Sequence, residues 1–457
     1  MKIDIVKRGE IINGSRLDSP FYLSEGAIAN RIIDSFTATN DFLVLSDKKL
    51  ANIWQPNRNI LAYAGEGEDY VSYIQPYDIL EYLPSERSRI SAHQNDIKAL
   101  RVKPGTILQT CSGRNLGPLV IADKYLERFV LGSDLIRIDI SDPQIRYYVF
   151  CFFSTWIGQA VLHSSKTGSV IDHLSIKDIE KIKVPMVDKE SMRNIATLIK
   201  ESYSAFETAR ITLSALISQY ESIIGITRDE VKLSEGWNTS FGKLSSNLRI
   251  DAAFYDPATE KAKNELLNRG GLVLSEVADV LKPSGRNKTN YVDEGYGIPF
   301  ISGRQLLQNQ IVGKKHLPFS YSEAYKKFAI KEGYIAYPAD GRVEGRLGSP
   351  VYITQNRDGW FASGHIGRII AKNTTPPGYV FLAMMLPVVQ DQIHALACGS
   401  VVDAVYPEDV ENVVFPPIVD FPYEKVTEAW SKYDIAERKK QQACDMLEAL
   451  LTQRESN

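Results

Sequence analysis

Gly168-Ser169-Val170-Ile171-Asp172 returns 231 residues later as Gly399-Ser400-Val401-Val402-Asp403. Arg16-Leu17-Asp18-Ser19-Pro20-Phe21-Tyr22 returns 233 residues later as Arg249-Ile250-Asp251-Ala252-Ala253-Phe254-Tyr255. Two matches in the same order at nearly one spacing mark an internal duplication. Weaker echoes fall between them. Val102-Lys103-Pro104-Gly105-Thr106-Ile107 parallels Ile330-Lys331-Glu332-Gly333-Tyr334-Ile335, and Leu116-Gly117-Pro118 parallels Leu347-Gly348-Ser349-Pro350. Beyond the first motif, Ile182-Lys183-Val184-Pro185 faces Val413-Val414-Phe415-Pro416. The chain reads as two copies of one unit.

Each copy ends alike. From Lys189 to about Ile224 there is no Gly before Gly225 and no Pro. Met192, Ile195, Ile199, Ser202, Phe206, Ala209, Leu213, Leu216, Tyr220 and Ile223 step through it at threes and fours, with Ser202 alone polar. That spacing predicts one long helix with a coiled-coil face, roughly 50 Å long at ~1.5 Å per residue. A second such stretch follows Pro422 and carries Val426, Ala429, Tyr433, Ala436, Lys440, Ala443, Leu447 and Leu450. Its alanines allow close approach of a partner helix, and Lys440 interrupts the seam as a register-fixing polar residue does. The plainer alternative is that each helix packs only against its own domain.

Between the helices, short β-like runs such as Thr106–Gln109, Leu135–Ile140, Gly297–Ile301 and Val351–Thr354 alternate with Gly, Pro and Asn. The expected fold is α/β (α+β): globular domains over 1–188 and 227–421, and long helices over 189–226 and 422–457 that pair as an antiparallel coiled coil. The length of 457 residues, with 44% hydrophobic and 24% charged residues, suits two or more globular domains. Cys111, Cys151, Cys398 and Cys444 form no CxxC pair, which argues against a zinc ribbon or disulfide framework and fits a reducing cytoplasm. The N-terminal MKIDIVKRGEIING lacks a signal-peptide core, and no run approaches 18 apolar residues, so no membrane partner is expected.

Two variable globular domains, each carrying a G-S-[VI]-x-x…[ILV]-x-[VF]-P segment and each followed by a long helix, resemble the specificity subunit of type I restriction-modification systems. The resemblance spans nearly the whole chain. The elements Leu17–Tyr22 and Ile250–Tyr255 share it, as does Gly297-Ile298-Pro299-Phe300-Ile301-Ser302-Gly303-Arg304. The first copy departs there, with Val71-Ser72-Tyr73-Ile74-Gln75-Pro76 in the matching place. The resemblance implies that each domain is a target recognition domain for one half of a split double-stranded DNA site. It implies that the helices act as a spacer on which two methyltransferase subunits dock. Those subunits bring S-adenosylmethionine, no cofactor being expected in this chain, and a restriction or translocase subunit can join them.

Base reading needs Arg, Lys, Asn and Gln on loops that reach a groove. In the first copy the candidates are Arg87, Arg89, Gln109, Arg114 and Asn115. In the second they are Arg286, Asn287, Lys288, Arg304, Gln305, Arg342 and Arg346. Ser112-Gly113-Arg114 and Gly341-Arg342…Gly345-Arg346 fall in equivalent zones of the repeat. Against each cluster stands the alternative of a solvated turn with an incidental arginine. The net charge of only −3 speaks mildly against nucleic acid, although a local basic face matters more than the sum.

Enzymatic readings fit less well. Tyr63-Ala64-Gly65-Glu66-Gly67 imitates a methyltransferase cofactor loop, but an N-P-P-Y or D-P-P-Y companion is missing. Gly285 precedes Lys288-Thr289 without the second Gly of a phosphate loop. Asp340 with Glu344 and Arg346 falls short of nuclease spacing. His93, His163, His173, His316, His365 and His394 give no metal-ligand spacing, and no GxSxG occurs. The remaining alternative is a duplicated coiled-coil scaffold without DNA reading. A fused DNA methyltransferase ranks below it.

Overall fold

The computed structural model describes residues 23–112, 116–164, 173–226, 237–285, 290–321, 323, 326–399 and 401–453. The chain divides into two compact units, residues 1–207 with 435–457, and residues 208–434. The division is discontinuous. The first long helix, Lys189–Ile224, begins in the first unit and ends in the second, and the second long helix, Glu424–Thr452, does the reverse.

Among the described residues the first unit holds nine strands: β1 (Phe42–Val44), β2 (Ala51–Trp54), β3 (Tyr70–Ile74), β4 (Ser88–Ser91), β5 (Ile107–Thr110), β6 (Leu119–Ile121), β7 (Val130–Leu131), β8 (Leu135–Ile140) and β9 (Lys183–Pro185). They form a pair β1-β9, a four-stranded sheet β2-β8-β5-β6 and a three-stranded sheet β4-β3-β7, in which β3 and β7 run parallel. Helix Pro143–Ser154 starts where Asp142 accepts from the Gln144 and Ile145 amides and Pro143 takes the first turn. It buries Tyr148, Val149, Cys151, Phe152 and Phe153. These pack in one core with Ile107, Ile136 and Ile138 of the sheet, with Met192, Ile195 and Ile199 of the first long helix, and with Ala443, Leu447 and Leu451 of the second.

The second unit holds β10 (Leu272–Val273), β11 (Ala278–Leu281), β12 (Gly297–Ile301), β13 (Lys315–Pro318), β14 (Ile335–Pro338), β15 (Asp340–Gly341), β16 (Val351–Tyr352), β17 (Phe361–Ala362), β18 (Ile366–Ala371), β19 (Asp403–Ala404) and β20 (Val414–Phe415). Its sheets are β10-β20, β11-β18-β14-β16 and β13-β12-β17, again with a parallel pair, β12 with β17. Order and sense match the first unit strand for strand. The extra pair β15-β19 stands where the first unit has the bridge Ser112–His173.

Side chains repeat with the strands. The Tyr148 hydroxyl donates to the Pro185 carbonyl and the Tyr379 hydroxyl to that of Pro416, each at 2.6 Å. Each tyrosine thus fastens the strand end from which a long helix departs. Gln159 donates to the Gly117 and Phe153 carbonyls, and Gln390 to those of Gly348 and Met384. Gly105 and Gly333, at φ 93° and 86°, turn the chain into β5 and β14 in a conformation that an L side chain resists. That requirement explains the Lys-x-Gly echo between the copies.

The first long helix buries Met192, Ile195, Ile199, Ala209, Leu213, Leu216 and Tyr220. At its end Ile224 is buried and Ile223 is exposed, contrary to the sequence reading. A straight helix of 3.6 residues per turn drifts against a strict seven-residue pattern, so the last contact moves on by one. The same happens at Leu451, which is buried beside a half-buried Leu450. In the first unit the Ser202 hydroxyl donates to the Ala436 carbonyl at 2.6 Å, and Lys439 pairs with Glu201 at 2.7 Å. In the second unit Tyr220 packs edge-on against Phe421 and Tyr423. No single described helix is long and apolar enough to cross a membrane.

Leu213 is fully buried in the second unit. Leu213→Ala is expected to cost roughly 2–5 kcal/mol through lost burial and the cavity left behind. Chemical denaturation measures it, and an unchanged midpoint would mean that this half of the helix is not packed.

Candidate nucleic-acid interface

Antiparallel pairing brings the end of β11, the end of β14 and the start of β18 to one edge of the four-stranded sheet. Three candidate stretches of the second copy converge there. Lys282, just past β11, donates to Asp340 Oδ1 at 2.6 Å, and both side chains are largely buried. His365 Nδ1 meets the other oxygen of Asp340. Gly303, beside Arg304, packs against Pro338 at the end of β14. Arg342 follows directly from β15.

The loop carrying Arg342 is built rather than loose. Gly345 donates back to the Arg342 carbonyl at 2.9 Å, and Ser349 to that of Arg346 at 3.1 Å. The Val343 amide donates to Asp403 Oδ2 at 3.2 Å. Asp403 closes the repeated G-S-V-V-D motif, so the motif's aspartate tethers the arginine loop. Arg342 is exposed and Arg346 half-buried. Arg304 is exposed on the short helix Gly303–Leu306. Gln305, by contrast, is occupied within the fold. Its Oε1 accepts from the Ser302 amide and hydroxyl, and its Nε2 donates to the Val312 and Gly313 carbonyls. Arg286, Asn287 and Lys288 lie outside the described residues.

In the first unit, Arg114 and Asn115 lie outside the described residues, as do the first G-S-V-I-D motif and Arg16–Tyr22. Arg87 makes a two-pronged ion pair with Asp78, at 2.8 and 3.0 Å, and reaches Glu81 at 3.4 Å. Burial opposes its charge, but the bond to Asp78 and the two carboxylate charges outweigh it, leaving the guanidinium more basic than usual. Asp78 also accepts from the Gln75 amide, the task Gln305 performs for Ser302 at the matching corner. Arg87 therefore clamps a corner of the fold. Arg89 is exposed, pairs with Glu86 at 2.9 Å and lies 4.4 Å from the Tyr70 ring centre.

Gln109 corrects the sequence reading. It is 1% exposed on the central strand β5, and its Nε2 donates to the Gly117 and Thr110 carbonyls. It has no surface to offer a duplex. The string Tyr63–Gly67, considered above as a cofactor loop, leads into a turn that Glu68 closes by accepting from the Gly65 amide.

Sequence reasoning missed a pair of buried arginines. Arg137 on β8 donates to the Leu135, Leu100 and Leu131 carbonyls. Arg368 on β18 donates to those of Ile366 and Phe328. Burial pulls both guanidinium groups down to about 10. Their place in R-I-D-I and R-I-I-A strands, 231 residues apart, was the available signal.

Among solved structures, the chain is similar to the S subunit of a type I restriction-modification system from M. genitalium. Identity is 13% and the TM-score 0.31, over 92% of this chain and 95% of that one. The similarity is to type I specificity subunits. A second such structure, the HsdS subunit from Thermoanaerobacter tengcongensis, gives 11% identity and a TM-score of 0.27 over 90% and 96% of the two chains. A third, from a structure of a type I R-M system described for its assembly and conformational transition, gives 12% and 0.26 over 88% and 97%. No protein-family model and no curated protein matches the chain.

The two kinds of arginine are expected to separate in a stability measurement. Arg368→Met leaves the Ile366 and Phe328 carbonyls without their donor and should cost about 2–6 kcal/mol, at ~1–3 kcal/mol for each of the two orphaned groups. Arg342→Ala, at an exposed position, should stay within about 0.5 kcal/mol. Urea titration of both variants checks this, and equal midpoints would overturn the distinction.

Proposed function

We propose that the chain is a non-catalytic, DNA-sequence-reading subunit of a type I-like restriction-modification or related phage-defence complex. Each body reads one half of a split duplex site. The observation that carries this reading is the duplication itself: the same three sheets in the same order, each copy delivering a long helix from a tyrosine-fastened strand end. Two equivalent readers suit a bipartite site on a twofold-symmetric backbone. The cationic loops at one sheet edge of the second body supply side chains of the type that reads guanine and holds phosphate.

The long helices pair in antiparallel fashion and fix the distance between half-sites. Ser202 meets Ala436 while Tyr220 meets Phe421 and Tyr423, the order that antiparallel helices require. A stiff pair keeps a spacing that a flexible linker would blur. Two methyltransferase subunits dock on this spacer and contribute S-adenosylmethionine and the reacting groups; a restriction or translocase subunit completes the complex. The proposed location is the cytoplasm.

The spacing claim is directly testable. Four residues added to each long helix, near Ala209 and near Ala429, lengthen the spacer by ~6 Å. That equals roughly two base pairs at ~3.4 Å each. Sequencing of methylated genomic DNA from cells carrying this variant should show both half-sites unchanged and the gap about two base pairs wider. An unchanged gap in an active complex would remove the ruler role. Methylation that does not depend on the gene at all would overturn the functional reading.

A further inference from the structure

The edge of the four-stranded sheet that gathers Lys282, Asp340 and Arg342 in the second unit has a counterpart in the first, at the ends of β2 and β5 and the start of β8. From the end of β2 the chain runs Gln55-Pro56-Asn57-Arg58-Asn59-Ile60, and from the end of β11 it runs Lys282-Pro283-Ser284-Gly285-Arg286-Asn287. Both loops follow the same strand, precede the same three-stranded sheet and carry a proline and then Arg-Asn. Asn57, Arg58 and Asn59 are exposed. Ile60 is fully exposed. Beside the loop lies a cleft of about 450 Å³ with Trp54 and Tyr73 in its wall and Asn57, Asn59 and Gln94 among its polar lining.

We infer that the loop Gln55–Ile60 is the base-reading loop of the first unit, with Arg58 and Asn59 determining specificity in one half-site. The inference rests on the proposed DNA-reading function and supplies residues for it. Arginine reads guanine with two donors and asparagine reads adenine with a donor and an acceptor, while an exposed aliphatic side chain suits a thymine methyl. Asp134, at the start of β8, pairs with the Arg58 guanidinium at 2.6 Å. That carboxylate gives the guanidinium a fixed neighbour of opposite charge. It also repels a phosphate placed there, whereas a neutral base edge bears no such penalty. Arg58 is thereby biased from backbone contact toward base contact.

The test uses cells lacking the gene, complemented with wild type, Arg58→Ala, Asn59→Ala or Asp134→Asn, and sequencing of their methylated DNA. Wild type should restore one split motif. Arg58→Ala and Asn59→Ala should each relax discrimination roughly 5- to 150-fold at one base of the same half-site, leaving the other half intact. Asp134→Asn should keep the motif but raise methylation at near-matching sites. Melting temperatures equal to wild type, expected at these exposed positions, exclude misfolding as the cause. If wild type restores no motif, the functional reading fails and takes this inference with it. If wild type restores the motif while Arg58→Ala and Asn59→Ala keep every base preference, or weaken all sites alike as phosphate contacts would, the inference alone is overturned.

Discussion

Burial of the long helices is the constraint on which the other features depend. A helix of 36 residues with an apolar stripe along its length is not held by propensity; it needs a surface to cover that stripe. Each unit supplies one for part of both helices. In the first, the core of Tyr148, Phe152 and Phe153 receives Ile195 and Ile199 from one helix and Ala443 and Leu447 from the other. In the second, Trp430 packs against Phe381 and Tyr433, and Tyr220 against Phe421. The first unit is not a contiguous stretch of sequence, because residues 435–457 complete residues 1–207; the second runs unbroken from 208 to 434 and takes in the end of one long helix and the start of the other.

Polar side chains give the bodies a second kind of order. Arg137 and Arg368 sit at the same strand position and donate to carbonyls of their own and a neighbouring segment. Burying a guanidinium without a carboxylate is costly, and only bonding to several carbonyls makes it tolerable. What it secures is geometry: Arg137 ties β8 to Leu100, and Arg368 ties β18 to Phe328. These ties stand close behind the sheet edge where the candidate DNA-reading loops emerge. Loops of variable sequence can then sit on a frame that does not vary between the copies.

Much of this frame was legible in the sequence. The duplication was visible as matched motifs, and the β-like runs Leu135–Ile140 and Gly297–Ile301 are strands β8 and β12. The helix seams were readable except at their ends, where a strict heptad and a 3.6-residue turn part company. The site was less legible for a physical reason. Charge and amide identity show what a side chain can bond to, not whether the fold already uses it. Gln109, Gln305 and Arg87 have the chemistry of base readers, yet each bonds within its own unit. Their partners, the Asp78 carboxylate, the Ser302 amide with the Val312 and Gly313 carbonyls, and the Gly117 carbonyl, are unremarkable in type. The loop after β2 becomes the counterpart of the richer loop after β11 only through the strand order.

The net charge of −3 is compatible with a reader whose contacts are few, local and backed by carboxylates. The central claim is that two copies of one body read two halves of one site. Hydroxyl-radical footprinting tests it most directly, with the full chain and the methyltransferase from the same genome on DNA that the complex methylates. The account predicts two protected segments separated by a gap of constant length. A single continuous footprint, or protection that is the same when this chain is omitted, would contradict it.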